Sequence, residues 1–198
     1  ATMRFEAGRF GQPECRLDDG RALSDLVDEQ NASRVAAPAG HPEMDRLVRT
    51  IWRLRQADGC PWDREQTHGS ITKNMVEEAY EAVDAIEAND VAHLCEELGD
   101  VLEQVLLHAQ IAADAGEFTI EDVAHGLNEK LVRRHPHVFG DLAAAAEGEP
   151  PAGYEQAHDG NRVLDILDDV KRLEREARGQ LSDVEPGLLD SVPQNLPA

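Results

Sequence analysis

Two consecutive helical segments that each carry a pair of acids constrain the fold of this 198-residue chain most strongly. In the first segment, Glu78 and Glu81 are three residues apart. In the second, Glu97 and Asp100 have the same spacing. Acids three residues apart share one face of a helix. The pattern breaks at Asn89-Asp90, so we expect an antiparallel helical hairpin that turns there.

The two acidic pairs lie at matched distances from the predicted turn. Glu81 and Glu97 are each about eight residues from it, or about 12 Å at the rise of an α-helix. Glu78 and Asp100 are each about eleven residues away, or about 16 Å. The hairpin therefore predicts that four acidic side chains converge on one small volume.

Such a convergence indicates a metal site. Four ionised carboxylates in close quarters repel one another and raise each other's pKa unless a cation lies among them. A set of oxygen ligands suits a hard divalent ion, Mg²⁺ with Mn²⁺ as a substitute. The alternative is a solvated acidic helix face. Apolar residues among the acids, such as Val83 and Ile86 in one segment and Leu98 and Val101 in the other, favour the metal site.

Composition favours helices and argues against several classes of partner. Charged residues make up 30% of the chain and aromatic residues 4%. A net charge of -21 disfavours a nucleic acid polymer or an anionic membrane, since there is no basic face to release counterions. The 3 cysteines fit neither a CxxC site nor a disulfide framework. Without a membrane-length apolar run or a signal sequence, this pattern predicts a cytoplasmic protein.

Periodicity and composition divide the chain into three parts. Residues 1–40 indicate an N-terminal extension, partly disordered or with a short helix from Ala22 to Asn31. Residues 41–178 carry helical periodicity and form the predicted main domain. Residues 179–198 contain Pro and Gly at short intervals, which predicts a tail.

Local signals predict where the helices begin and end. Pro42 is expected at the first position of a helix. Gly116 is the expected stop of the second acidic helix. Thr119 with Asp122 predicts the start of another helix, and Pro136 predicts its end.

Basic and aromatic residues supply further candidates. Lys130 and Arg134 share one face at the end of a predicted helix, where the helix dipole alone favours two cations. In so acidic a chain they could instead hold phosphate oxygens. The position of Lys73, one turn before Glu77, favours an ion pair over a phosphate contact. Trp62 favours packing in the core or at an interface over stacking on a base.

The acids belong to a longer series of sequence blocks. They stand as Glu77-Glu78-Ala79-Tyr80-Glu81 and Glu97-Leu98-Gly99-Asp100, which match the pattern E-E-x-x-E followed by E-x-x-D. Gly59-Cys60-Pro61-Trp62-Asp63 precedes them, and Lys130 with Arg133 to Phe139 follows. In this order the blocks resemble the MazG family of nucleoside triphosphate pyrophosphohydrolases. The resemblance covers roughly Pro42 to Arg178.

The resemblance implies a fold, a reaction and a set of residue roles. The fold is all-α, a MazG-like bundle of four to five helices with a dimeric core, in a homodimer or a dimer of dimers. The reaction is Mg²⁺-dependent hydrolysis of a nucleoside triphosphate to the monophosphate and pyrophosphate. By motif position, metal ligands correspond to Glu78, Glu81, Glu97 and Asp100, and phosphate contacts to Lys130 and Arg134. Glu77 is a candidate either for a group behind the ligands or for the base that activates water.

The sequence also departs from the family pattern. Leu167 stands where the family often has a Trp that can lie against the base, and Tyr154 could substitute for it. The base preference is therefore left open. Two alternatives accompany the general activity: a narrow, dUTP-type pyrophosphatase, and an inactive acidic helical interaction module. The presence of all four ligand positions counts against lost activity.

Overall fold

The computed structural model describes residues 3–7, 13–17 and 40–139, together with scattered helical residues at 25, 27, 28, 31, 163, 164, 167–169, 171 and 172. The chain falls into two compact units, one of Asp28–Asn128 and the other of Ala1–Val27 with Glu129–Ala198. Both acidic segments belong to the first unit. Tyr154 and the predicted tail lie outside the described residues.

The N-terminal extension contains a hairpin that the sequence analysis did not predict. Strands β1 (Met3–Ala7) and β2 (Pro13–Leu17) pair antiparallel, with Phe5 opposite Cys15. This stretch shows little periodicity, and strand pairing depends on a partner outside the strand itself. The short helix expected from Ala22 to Asn31 agrees with the four residues described there. They are all helical: Asp25, Val27, Asp28 and Asn31.

Residues 40–139 are helical, which confirms the all-α class predicted for the main domain. Four long helices and two short ones follow one another: α1 (Pro42–Leu54), α2 (Pro61–Glu65), α3 (Thr72–Glu87), α4 (Val91–Asp114), α5 (Ile120–Arg134) and α6 (Pro136–Phe139). In the part of the chain that the structure describes, none of the helices is both long and apolar enough to cross a membrane.

The helix ends follow the predicted local signals. Pro42 opens α1, where its missing N–H leaves no bond unmade. Gly116 has φ of 70° just after α4, a left-handed conformation that glycine adopts without strain. Before α5, the Thr119 backbone N–H donates to the Asp122 carboxylate at 2.8 Å. Pro136 follows the end of α5.

Helices α3 and α4 form the predicted antiparallel hairpin and make the most extensive helix contact in the described chain. Asn89 has φ of 54°, a left-handed conformation that asparagine tolerates better than most residues. The Asp90 side chain then caps α4 by accepting the backbone N–H of His93 at 3.1 Å. The turn therefore lies where the sequence places it.

The core of the Asp28–Asn128 unit lies at the far end of α4 from this turn. Its buried residues are Ile51, Ile71, Leu106 and Leu107. Partly buried side chains from α1, α4 and the start of α5 surround them: Leu47, Val48, Leu54, Leu102, Ile111 and Ile120. Full burial of each such aliphatic side chain is worth about 1.5–3 kcal/mol. The core thus anchors one half of α4 while the other half carries the acids.

Arg55 joins three segments at the end of α1. Its Nε donates to the Asp114 carboxylate at 2.7 Å, and its guanidinium also donates to the backbone carbonyls of Asp63 and Gln66. The Arg55 side chain is only 8% exposed. Charge-assisted hydrogen bonds in such a position tie α1, α2 and the end of α4 together.

Two histidines connect the segment before α3 to α4. The Nδ1 atoms of His68 and His108 are 2.8 Å apart, and the rings are stacked with centroids 5.1 Å apart. One Nδ1–H must therefore donate to the other, unprotonated Nδ1. Burial, and then the charge of His68, lower the pKa of His108 below 6.5.

This lowered pKa predicts a loss of stability in mild acid. A histidine with a lower pKa in the folded state takes up protons on unfolding, so its contribution is complete above about pH 6.5 and is lost as the pH falls. From pH 7 to pH 5 the free energy of unfolding of wild-type protein should fall more than that of His108→Asn, measured by urea denaturation. His125→Asn, at an exposed position of α5, is the control and should follow wild type. Parallel curves for wild type and His108→Asn would contradict the prediction.

Candidate metal centre

Three carboxylates meet between the two helices of the hairpin. Glu78 and Glu81 come from adjacent turns of α3, and Glu97 comes from the facing side of α4. Each offers an oxygen, and these three oxygens lie within 4.8 Å of one another. Oxygens at this separation could coordinate a single divalent cation. The structure therefore brings together three of the four predicted ligands.

Glu97 is the most enclosed member of the group. Its side chain is only 5% exposed, whereas Glu78 is half-buried and Glu81 is exposed. Its Oε1 lies 2.8 Å from Nε2 of His93, and its Oε2 is buried without a hydrogen-bond partner. An ionised oxygen in this situation is costly unless a cation compensates it. This orphaned oxygen fits a metal ion.

The carboxylates also shift one another's pKa. Burial, and then the charges of Asp100 and Glu81, raise the pKa of Glu78 above 4.5. Burial, and then the charge of Glu81, raise the pKa of Glu97, while His93 acts in the opposite direction. Full ionisation of the group is therefore unfavourable without a cation.

Asp100, the fourth predicted ligand, is not part of the group of three oxygens. It is half-buried, and its charge nevertheless acts on Glu78. Burial, and then the charges of Asp100 and Asp63, raise the pKa of Glu103. Glu103 and Asp63 were not predicted to belong to this acidic region. The spacing of three between Asp100 and Glu103 could have indicated the first of them.

The remaining predicted residues of this unit are exposed. Glu77 and Lys73 lie on the solvent side of α3, and the ion pair expected between them does not form among the described residues. Trp62 is 54% exposed, so the prediction that it packs in the core was wrong. The five-residue α2 instead buries Asp63. Contact of Trp62 with an interface or a base stays a prediction.

The two predicted phosphate-binding residues belong to the other compact unit. Lys130 is exposed and Arg134 is half-buried, both near the end of α5. They lie four residues apart, as the sequence analysis expected, and therefore on one helix face. Their contact with phosphate stays a prediction.

Comparison with known sequences identifies similar proteins over most of the chain. Residues 66–139 match the MazG nucleotide pyrophosphohydrolase domain. The uncharacterized protein YabN of Bacillus subtilis is 49% identical over 186 residues, 94% of this chain and 34% of that protein. The nucleoside triphosphate pyrophosphohydrolase/pyrophosphatase MazG of Thermotoga maritima is 56% identical over 97 residues, 49% of this chain and 38% of that protein. The nucleoside triphosphate pyrophosphohydrolase of Escherichia coli K12 is 40% identical over 157 residues, 79% of this chain and 53% of that protein.

A solved structure shares the fold. The crystal structure of a mazG-related protein from Thermotoga maritima has a TM-score of 0.50 and 26% identity, and the match covers 65% of this chain and 98% of that chain. The chain spans between 34% and 53% of the length of the three curated relatives described above.

The carboxylate group predicts that divalent cations stabilise the protein. At about 100 times its Kd, a bound ion adds about 2.7 kcal/mol to the free energy of unfolding. For a chain of this size, this corresponds to roughly 5–10 °C in Tm. Thermal unfolding of metal-free protein with and without Mg²⁺ or Mn²⁺ measures the shift. Glu97→Gln should abolish it, and an equal shift in that variant would show that the ions bind elsewhere.

Proposed function

We propose that this chain, of which residues 66–139 match the MazG nucleotide pyrophosphohydrolase domain, hydrolyses nucleoside triphosphates to nucleoside monophosphate and pyrophosphate. The observation that carries this proposal is the group of three carboxylate oxygens within 4.8 Å, one of which comes from a buried glutamate. The relatives named as nucleoside triphosphate pyrophosphohydrolases support the substrate class. A substrate of this kind agrees with the cytoplasmic location predicted from the sequence.

Residues of the hairpin would hold the cation. Glu78, Glu81 and Glu97 supply the first oxygens, and Asp100, whose charge acts on Glu78, is the proposed fourth ligand. When bound, Mg²⁺ would contact phosphate oxygens and offset the charge that develops as water attacks the α-phosphorus. Mn²⁺ prefers the same oxygen ligands and could replace it.

Other side chains have proposed roles around the substrate. Glu77 is exposed next to Glu78 and stays a candidate either for a group behind the ligands or for the base that accepts a proton from the attacking water. Lys130 and Arg134 are proposed to bind the phosphates that leave as pyrophosphate, where cations offset the negative charge of the product. Trp62 and Lys73 remain candidates for further substrate contacts.

The test compares the two proposed ligands on α4 with a neighbouring exposed acid of the same helix. Glu97→Gln and Asp100→Asn should lower turnover on the order of 100-fold or more, since even loss of a group behind a metal ligand costs about 10–100-fold. Glu96→Gln is the matched control, because Glu96 is exposed, and should leave turnover unchanged. Pyrophosphate release from a panel of nucleoside triphosphates, with and without Mg²⁺, measures the effect, and circular dichroism checks the helical fold.

The same panel separates the alternatives. Strict preference for dUTP would favour the narrow pyrophosphatase. Release from no nucleotide at all would favour the inactive interaction module. Turnover of Glu97→Gln within a few-fold of wild type would reject its role as a ligand.

We also propose that the protein forms a homodimer through α3. This helix turns Ala82 and Ala85 inward, and its opposite side exposes an apolar row of Val76, Tyr80 and Val83. Spacings of four and three residues place the row along one face. A second copy that packs the same face would bury the row by two-fold symmetry.

Light scattering after size-exclusion chromatography tests the dimer. Wild-type protein should show at least twice the chain mass of 21.8 kDa, and Val83→Lys should shift the mass toward the monomer. Val91→Lys is the control, because Val91 is 79% exposed at the start of α4 and lies outside the row. A dimer that persists in Val83→Lys would place the interface on another surface.

A further inference from the structure

One contact beside the carboxylate group has no counterpart in the roles assigned above. His93 lies one turn before Glu97 on α4, and its Nε2 is 2.8 Å from Oε1 of Glu97. The histidine is 47% exposed, while the glutamate it contacts is 5% exposed. The contact therefore joins an exposed side chain to the most enclosed acid of the group.

The two oxygens of Glu97 have different surroundings. Oε1 is paired with His93, and Oε2 is buried without a hydrogen-bond partner. An ionised carboxylate only accepts hydrogen bonds, so Nε2 of His93 must carry a proton. Both the neutral Nε2–H tautomer and the imidazolium satisfy this requirement, and the contact is kept in either state of charge.

The backbone of His93 is also held in place. Its N–H donates to the Asp90 carboxylate that caps α4, at 3.1 Å. The backbone of His93 is therefore held in the first turn of α4, one turn before Glu97, whose carboxylate accepts the hydrogen bond from the His93 side chain. A hydrogen bond from this point restricts the rotation of the Glu97 carboxylate.

We propose that His93 is a positioning residue for the divalent cation: its Nε2–H holds Oε1 of Glu97 and leaves Oε2 for the ion. This inference rests on the proposed function, because it concerns the same carboxylate group. Hydrogen-bond partners of a metal-ligating carboxylate restrict its orientation and thereby strengthen binding. The competing explanation is a helix-surface pair, which contributes little and would leave the cation unaffected.

Four variants separate these explanations. His93→Ala removes the donor. His93→Gln places an amide N–H at about the reach of Nε2, while His93→Asn has a shorter side chain that matches the reach of Nδ1. His125→Ala removes a histidine from an exposed position of α5 and is the matched control.

The first measurement is the affinity of metal-free protein for Mn²⁺ without nucleotide, by isothermal titration calorimetry. His93→Ala and His93→Asn should weaken binding by about 10–100-fold, since this is the usual cost of losing such a partner. His93→Gln should bind Mn²⁺ nearly as tightly as wild type, because the hydrogen bond to the ligand is kept. His125→Ala should match wild type.

The second measurement is the dependence of pyrophosphate release on Mg²⁺ concentration. His93→Ala should need more Mg²⁺ for half-maximal rate, while its kcat at saturating Mg²⁺ should return toward the wild-type value. If His93 and Glu97 form only a helix-surface pair, His93→Ala should match wild type both in the Mg²⁺ concentration for half-maximal rate and in kcat at saturating Mg²⁺.

Several outcomes would overturn the proposal. The first is that His93→Ala binds Mn²⁺ as tightly as wild type. The second is that His93→Gln binds Mn²⁺ as weakly as His93→Ala. The third is that the wild-type protein does not bind Mn²⁺. The calorimetry uses no nucleotide and therefore remains decisive if the hydrolysis assay fails. Loss of Mn²⁺ affinity in His93→Ala without any hydrolysis by wild type would support the role of His93 and reject the proposed reaction.

Discussion

The repulsion among carboxylates that the α3–α4 contact forces together is the constraint on which the described site depends. The hairpin turn at Asn89 and Asp90 sets the two helices side by side and brings Glu78, Glu81 and Glu97 within reach of one ion. Burial raises the pKa of Glu97, the charge of Glu81 adds to the effect, and His93 opposes it. A folded chain can tolerate such a group more readily if a cation shares the charge.

The length of α4 allows it to serve both the site and the core. At about 1.5 Å per residue its 24 residues extend roughly 36 Å. Its first half carries Glu97 and Asp100, and its second half supplies Leu106 and Leu107 to the buried core. The acids therefore project from a helix that apolar packing holds elsewhere along its length, so a rigid element supports the predicted ligands.

The surroundings of Glu97 show how one carboxylate can be both held and available. His93 contacts one oxygen, and the other has no hydrogen-bond partner. An acid with both oxygens paired by the protein would have less capacity left for a cation, and an acid with neither would be free to rotate. In the same unit, Asp114, far from the hairpin turn, pairs with an arginine, Arg55, instead of a histidine.

The sequence alone determined the parts of the fold that depend on short-range interactions. The spacing of Glu78 with Glu81 and of Glu97 with Asp100, the turn at Asn89-Asp90 and the stop at Gly116 all depend on residues within a few positions of one another. For this reason the helices, the hairpin and the meeting of three predicted acids could be predicted from the sequence. The order of the sequence blocks, which resembles that of the MazG family, suggested the proposed reaction.

Only the tertiary structure decided how deeply each acid is buried. The rotation of α4 and its long-range packing bury Glu97 and leave Asp100 outside the group of three oxygens. The spacing of acids along the sequence does not distinguish these two positions. Trp62 does not pack in the core, one of the two placements expected for it, because burial depends on which neighbours surround a short helix. The pairing of His68 with His108, 40 residues later in the chain, likewise has no local signal, since only the folded chain brings such distant residues together.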